Sequence, residues 1–417
     1  MARLSQSLVA AGLLAITSAI NHAADSAPLA PVLQSAVDKH LVAGTVVLVA
    51  NKDRVLDLEA AGYSGLDAKT PMKPDAMFWI ASMSKSYTGV ALMMLVDEGK
   101  VKLDDPVEKY LPEFQGQLVE EDGIERHPPK HPITVREIMD HTSGVAVPQD
   151  PAFKNVHNLK DIVAVIGKLP LRREPGTKFE YNNCGINTGG RIIEVVSGIS
   201  YLDFMQQRLF TPLEMKDTTF FPTEEQASRL ASTAKFTESK TDLEDVRSLM
   251  RKNLTQAVID KLTQGQKIPE PLLDNFGGGV TTDIVNHYGQ PAGGLYATAG
   301  DVGRLCQMLL NGGTWHGRRY LSEEAIKTLS SNQTGDVSVN PVEGYGIGCF
   351  VKIKNNEGPE VGSYGHRGAR RTVMWVDPKN QLVMVAMIQR WDMTGEQQNE
   401  FYGSVFKAMV EKFGRKQ

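Results

Sequence analysis

Ser82 and Lys85 stand three residues apart in the stretch Met77–Gly99, MFWIASMSKSYTGVALMMLVDEG. On a helix that spacing is one turn, so both side chains share a face. The first turn of a helix carries unpaired N–H groups and partial positive charge, which suits a developing oxyanion. Val90–Val96 is apolar on every side, which predicts a helix buried in protein. Lys85 beside such a core loses solvation, and that favours its neutral, basic form. A serine next to a neutral amine is an activated nucleophile. The spacing recurs at Ser232/Lys235 and Ser404/Lys407, so it does not choose the nucleophile by itself.

Two more clusters carry chemistry. Tyr181–Asn183 (YNN) follows the turn Pro175–Gly176, and of eleven tyrosines only Tyr181 has asparagine two residues later. On an extended segment the two side chains point the same way. The phenol could pass a proton and the amide could hold a carbonyl; a packed tyrosine beside a capping asparagine is the structural alternative. Gly365–Gly368 (GHRG) leads into a strand-rich end. His366 could donate hydrogen bonds or titrate near neutrality, and Gly368 would let backbone approach a ligand closely. Arg367, Arg370 and Arg371 add positive charge; on a continuous strand Arg367 and Arg371 share one face and Arg370 lies with His366. At least one of the three is expected to bind an anionic group on the substrate.

Other signatures are missing from the sequence. No serine has glycine two residues before and after it, there is no His-Glu-x-x-His, and prolines separate His127 from His131. No phosphate-binding glycine loop precedes a lysine, so the residues imply neither metal nor cofactor.

The elements that must position these groups follow from periodicity. Pro31–Leu41 has helical spacing, and Gly44–Leu58 reads as two strands around a turn at Asn51–Arg54. Gly99 and Lys100 end the Ser82 helix. Leu103–Phe114 reads as short helix and turn, and Thr134 with Glu137 forms a capping box for a helix through Met139. Lys160–Lys168, Gly185–Val196, Tyr201–Leu209 and Val302–Leu310 read as helices, and Glu224–Leu262 as a long polar, helix-favouring stretch. Tyr345–Lys354, Thr372–Asp377 and Leu382–Gln389 read as strands, with a hairpin turn at Asp377–Asn380, and Glu400–Phe413 as an amphipathic helix. Strands and a helix at both ends with a helical middle predict an α+β chain.

The chain has 417 residues, 41% of them hydrophobic, and a net charge of -4. It is long enough for a sizeable core, and nothing points to nucleic acid or an anionic membrane. Arg3, the apolar run Leu8–Ile16 and the small residues Ala23–Ala24 read as a signal peptide over residues 1–24, giving a periplasmic or secreted protein with no transmembrane segment after its removal. Cys184, Cys306 and Cys349 have no metal-like spacing and read as small buried residues. Oligomeric state is not readable.

Ser82–Lys85, Tyr181–Asn183 and His366–Gly368 occur in that order, at a helix start, a loop and an edge strand. In this the sequence resembles the serine β-lactamase and penicillin-recognising enzyme superfamily, in the branch of class C β-lactamases, D-alanyl-D-alanine carboxypeptidases and related esterases. FWIASMSK at 78–85, LDDPVEKYLP at 103–112, ITVREIMDHTSG at 133–144, PGTKFEYNN at 175–183 and GGLYATAGD at 293–301 support it. Neither Ser232 nor Ser404 has comparable surroundings. The resemblance covers roughly Pro28 to Phe413. It implies an antiparallel sheet flanked by helices (about 28–80 and 291–415), an all-α subdomain (about 81–290), and an active site in the seam of a single domain, 25–417. It also implies roles. Ser82 would be acylated, Lys85 would activate it alone or with Tyr181, and Tyr181 would pass the proton to the leaving group. Asn183 would orient the substrate, and the N–H groups of Ser82 and Ala369 would form the oxyanion hole. His366 stands where many relatives have lysine, and Arg367 where a small hydroxyl residue is common.

The resulting expectation is an exported serine hydrolase acting on a small ester, a β-lactam or a D-amino-acid peptide, with esterase-type activity ranked first because of His366. The alternatives are a true class C-type β-lactamase and a penicillin-binding-like protein with little turnover.

Overall fold

The structure, a computed structural model, describes residues 29–121, 125–148, 156, 158–253, 289–355 and 358–414. Residues 1–24, read above as a signal peptide, lie outside the described residues.

Two apolar runs from opposite ends of the chain pair at the centre of the main sheet. Strand β1 (Gly44–Ala50, GTVVLVA) is buried throughout, as is the last strand (Leu382–Ile388, LVMVAMI). They are antiparallel, with Thr45 opposite Ile388 and Ala50 opposite Val383. Continuous apolar runs of this kind belong to strands covered on both faces. Numbering the eight strands of this sheet in chain order, β2 is Val55–Gly65, β3 Thr70–Pro71, β4 Glu343–Tyr345, β5 Phe350–Lys352, β6 Tyr364–Arg367, β7 Val373–Asp377 and β8 Leu382–Ile388. The order is β4-β5-β6-β7-β8-β1-β2-β3, and each neighbouring pair is antiparallel.

Helices cover the two faces. On one lie α1 (Ala30–Asp38) and the C-terminal helix Gly395–Phe413; Leu33, Phe401, Val405 and Met409 pack there against Val47, Val49, Val373 and Trp375. On the other face Val46, Leu48, Met374 and Val385 join the larger core with α2 (Ser84–Asp97) and the helix Ala299–Leu310. Beyond α2 the middle of the chain adds α3 (Val135–Met139), α4 (Leu159–Gly167) and α5 (Asn183–Ser197). The Thr134/Glu137 capping box is present, with both reciprocal bonds made. This is an antiparallel sheet flanked by helices. No helix among the described residues is long and apolar enough to cross a membrane.

Three local readings are corrected. Tyr345–Lys354 is not one strand: glycines at 346 and 348 fold it into the β4–β5 hairpin, with Gly346 N–H donating to Cys349 O at 2.8 Å. The described part of Glu224–Leu262 is not one long helix. A helix over Glu224–Ser228 gives way to a strand pair, Ala234–Phe236 with Leu243–Asp245, before a second helix at Val246–Asn253. The remainder lies outside the described residues. Finally, β6 stops at Arg367, and Gly368–Arg371 is a hairpin turn closed by Gly368 N–H to Thr372 O at 2.7 Å and Arg371 N–H to Gly368 O at 2.9 Å. Strand alternation therefore does not govern Arg370 and Arg371. All three cysteines are free and buried.

Candidate active site

Ser82 lies not on α2 itself but on the 3₁₀ turn Ala81–Met83 that leads into it. Ala81 has φ +46°, a backbone conformation costly for a residue with a Cβ, and such strain persists where surroundings over-determine it. Here the turn is pinned from two sides. Ile80 N–H donates to Leu295 O at 2.9 Å, and Ser84 Oγ donates to Ala81 O at 2.6 Å while accepting from Leu295 N–H at 3.1 Å. Ser82 is thereby held partly exposed at the head of a helix whose residues from Ser84 to Leu95 are all buried.

Lys85, fully buried one turn on, has three polar atoms around its Nζ. Asn183 Oδ1 and Ala292 O are each at 2.8 Å, and Ser82 Oγ is at 3.1 Å. Among the described residues no carboxylate ion-pairs with it, and burial drives its pKa from 10.5 down to about 7. Keeping this amine in the core costs on the order of 4 kcal/mol near neutrality, at 1.36 kcal/mol per pH unit. Two or three of the buried α2 side chains such as Val90, Leu92 and Leu95, at about 1.5–3 kcal/mol each, offset that cost.

Asn182 and Asn183 divide two tasks. Asn182, in extended conformation, caps α5 through its Oδ1, which accepts from Gly185 N–H at 3.1 Å. Asn183 begins the helix and turns its amide to Lys85. The Tyr181 ring lies 4.7 Å from Lys85 Nζ. Although Tyr181 is 41% exposed, burial is the largest influence on its phenol and pushes it up to about 12, with the Ser82 side chain opposing. The phenol is therefore a proton donor at neutral pH.

The β6–β7 turn closes the site from the sheet side. Gly368 has no room for a side chain: a Cβ there would stand 2.5 Å from Ile80 O, two residues before Ser82. This close approach brings exposed Ala369 against the turn that carries the nucleophile, and among the described residues no protein acceptor takes the Ala369 N–H. A second close approach fixes Lys85. Gly348 has φ +75° and sits on Lys85 O, while Gly89 sits on Ile347 O, so α2 and the β4–β5 hairpin touch backbone to backbone.

His366 is buried, with its Nε2 3.0 Å from Tyr345 Oη and its Nδ1 against the Arg367 backbone. Burial first, and then the charge of Lys85, hold its pKa well below the usual imidazole range, so the ring is neutral. Tyr345 and Phe350 complete an aromatic wall with Tyr181, whose ring is stacked 6.3 Å from that of Phe350.

Ser82, Lys85, Tyr181, Asn183, His366, Gly368 and Ala369 are thus assembled around one place. Arg367 is not. Opposite Val373, it points to the other sheet face, where its Nη2 donates to Glu343 Oε2 at 2.6 Å and its guanidinium lies 4.7 Å from the Phe350 ring centre. Arg370 stacks over Trp391 at 3.6 Å, and the Arg371 charge acts on half-buried Tyr402. The rival serines are differently engaged. Ser232 Oγ is buried and donates to Asp245 Oδ2 at 2.6 Å, and Ser404 Oγ donates to Phe401 O at 2.8 Å.

Two contributors escaped the sequence reading. One is the Ala292 carbonyl, a backbone atom with no residue signature. The other is His141 of the HTSG turn, 2% exposed with φ +67°, whose ring stands 4.5 Å from Tyr181 and 4.7 Å from Tyr345. Its signal was the turn itself, since a buried histidine between a short helix and Thr-Ser-Gly is an unusual choice for a solvated loop.

A family model described as Beta-lactamase matches residues 29–405. Protein Rv1367c of Mycobacterium tuberculosis is 27% identical over 385 residues, covering 86% of this chain and 88% of that one. Protein flp of Staphylococcus aureus is 29% identical over 192 residues, 45% of this chain and 37% of its own. Among solved structures the fold is similar to EstCE1, described as a hydrolase with promiscuous acyltransferase activity, with TM-score 0.70, 22% identity and coverage of 91% and 97%. It is also similar to a penicillin-binding protein homologue from Caulobacter crescentus, with TM-score 0.69, 18% identity and coverage of 92% and 97%.

Proposed function

The chain belongs to the beta-lactamase family, and on that premise we propose that it is a serine hydrolase that forms an acyl-enzyme on Ser82 and prefers small uncharged esters.

The observation that carries the reading is the count of partners at Lys85 Nζ. A neutral amine has two N–H bonds and one lone pair. The carbonyl oxygens of Asn183 and Ala292, both at 2.8 Å, are acceptors only, so they take the two N–H bonds. As an ammonium Nζ donates to the third neighbour, Ser82 Oγ, at 3.1 Å; once neutral, its remaining lone pair is left for that hydroxyl, which then becomes the donor. Lys85 with a pKa of about 7 has this form available at neutral pH.

In the forward step Ser82 Oγ attacks the ester carbonyl as its proton passes to Lys85 Nζ. Charge develops on the carbonyl oxygen and is met by the N–H groups of Ser82 and Ala369. As the tetrahedral intermediate collapses, Tyr181 Oη donates a proton to the departing alkoxide and is reprotonated from Lys85. Water then attacks the acyl carbon by the reverse path, and the acid leaves.

Preference for uncharged substrates follows from what surrounds His366. Its imidazole is neutral, with both nitrogens engaged, and the neighbouring Arg367 turns to the opposite face of the sheet, where it meets Glu343. A carboxylate such as that of a β-lactam or D-alanyl terminus would find no cation from these two residues. Export to the periplasm or beyond is proposed on the leader-like residues 1–24 alone; the N-terminal sequence of the mature protein tests it.

The assay is a p-nitrophenyl ester and a chromogenic cephalosporin turned over side by side, with Ser82→Ala as control. Ester turnover well above cephalosporin turnover, both abolished in the variant, is expected. Full activity in Ser82→Ala, or cephalosporin turnover well above ester turnover, would overturn the reading.

A further inference from the structure

Behind the sheet, on the face away from Ser82, a cleft of about 160 Å³ opens between β4–β7 and the C-terminal helix. Among the described residues its charged lining is two cations and one anion: Lys352, Arg367 and Glu343. Glu343 is 5% exposed, and its Oε2 already accepts from Arg367 Nη2 at 2.6 Å and from Asn340 Nδ2 at 2.9 Å. Lys352 stands directly opposite Glu343 in the β4–β5 ladder and is 4% exposed. Among the described residues its amine has neither a hydrogen-bond nor an ion-pair partner. Its stem is buried while the amine reaches the cleft surface, where it is open to an anion. Burial lowers the Lys352 pKa, and the Glu343 charge only partly opposes this. The rest of the lining mixes apolar and polar groups, with Trp375, Tyr402 and Phe406 its three large rings and Asn399 an amide at the helix side.

We propose that this cleft is a binding site for a small carboxylate with an apolar body, of the size of benzoate, its carboxylate received by Lys352 and Arg367 and its body lying against Trp375 and Phe406. The charges lining the cleft sum to one excess positive charge, which a monoanion neutralises. The apolar rings and the volume select a compact hydrophobic acid over a polyanion. The cleft is linked to the Ser82 side through Arg367, whose guanidinium lies 4.7 Å from the Phe350 ring centre, with Tyr181 stacked on that same ring at 6.3 Å. Arg367, placed beside His366 in sequence, thus serves a ligand on the other face.

Isothermal titration of the full chain with sodium benzoate, benzamide and inorganic phosphate tests this. Saturable 1:1 binding of benzoate is expected, with benzamide and phosphate each weaker by about tenfold or more. Lys352→Met, which keeps the side-chain length and removes the charge, should weaken benzoate by a similar factor while unfolding cooperatively. Phe406→Trp, which fills the apolar end with Lys352 intact, should weaken it too and carries the test if Lys352→Met does not fold. Absence of saturable benzoate binding, or binding that both variants leave unchanged, would overturn the site. Phosphate binding as tight as benzoate would overturn the ligand class. None of these outcomes depends on Ser82 being the nucleophile.

Discussion

Replacing Asn183 by aspartate should move the pH dependence of acylation upward. The exchange puts a carboxylate of nearly the same shape 2.8 Å from Lys85 Nζ, in a site where burial alone has brought the amine to about 7. An opposite charge this close favours the ammonium and raises its pKa by roughly 1–3 pH units. At pH 7 the neutral fraction of Lys85 would fall from about one half to between roughly one-tenth and one-thousandth, so kcat/KM would drop by roughly 5- to 500-fold. Whether the extra proton stays on nitrogen or is shared with the carboxyl, the lone pair facing Ser82 is occupied. The sign is fixed. Lys85 is active when deprotonated, so wild-type kcat/KM should rise with pH through about 7 and level off above it. In Asn183→Asp the same rise should occur at higher pH, and the loss should shrink as pH increases. The assay is kcat/KM for a neutral p-nitrophenyl ester from pH 5.5 to 9.5, corrected for spontaneous hydrolysis. A loss of equal size at every pH, with the acidic limb unmoved, would refute the claim that the protonation of Lys85 gates the nucleophile.

Three other perturbations probe separate parts. Tyr181→Phe removes the phenol while keeping the ring against Phe350, and kcat should fall by about 10²–10⁴-fold with little change in stability; unchanged single-turnover acylation would remove Tyr181 from the proton path. Gly368→Ala forces a Cβ onto Ile80 O and should displace the Ala369 N–H, lowering kcat by about 10²-fold at nearly constant KM; a KM effect alone would place Ala369 in binding, not in oxyanion stabilisation. Arg367→Ala should change kcat/KM equally for neutral and anionic esters, because its guanidinium is held by Glu343; selective loss on anionic esters would show that it reaches the substrate.

The legibility of the site follows the range of the information. Ser82 with Lys85, and Tyr181 with Asn183, are local patterns, and helix and cap geometry converge them once the fold forms. β1 and β8 were legible because a buried strand has to be apolar throughout. The Ala292 carbonyl was not, since a backbone atom 207 positions from Lys85 leaves no residue type to read. Arg367 lies on the face opposite His366, as strand alternation predicts, but its ion-pair partner Glu343, 24 positions away on another strand, left no local signal. Arg370 and Arg371 were misread because four residues of turn, not strand, follow β6. The strand pair Ala234–Phe236 with Leu243–Asp245 was lost among polar residues whose intrinsic preference is helical, where tertiary pairing prevailed over propensity.

The central claim is that Ser82, and no other serine, forms the covalent intermediate. Treating the chain with a fluorophosphonate, digesting it and locating the adduct by mass spectrometry tests this directly. The account predicts a single adduct on the peptide containing Ser82, formed faster as pH rises through about 7 and absent in Ser82→Ala. An adduct on Ser232 or Ser404, or labelling that survives in Ser82→Ala, would contradict it.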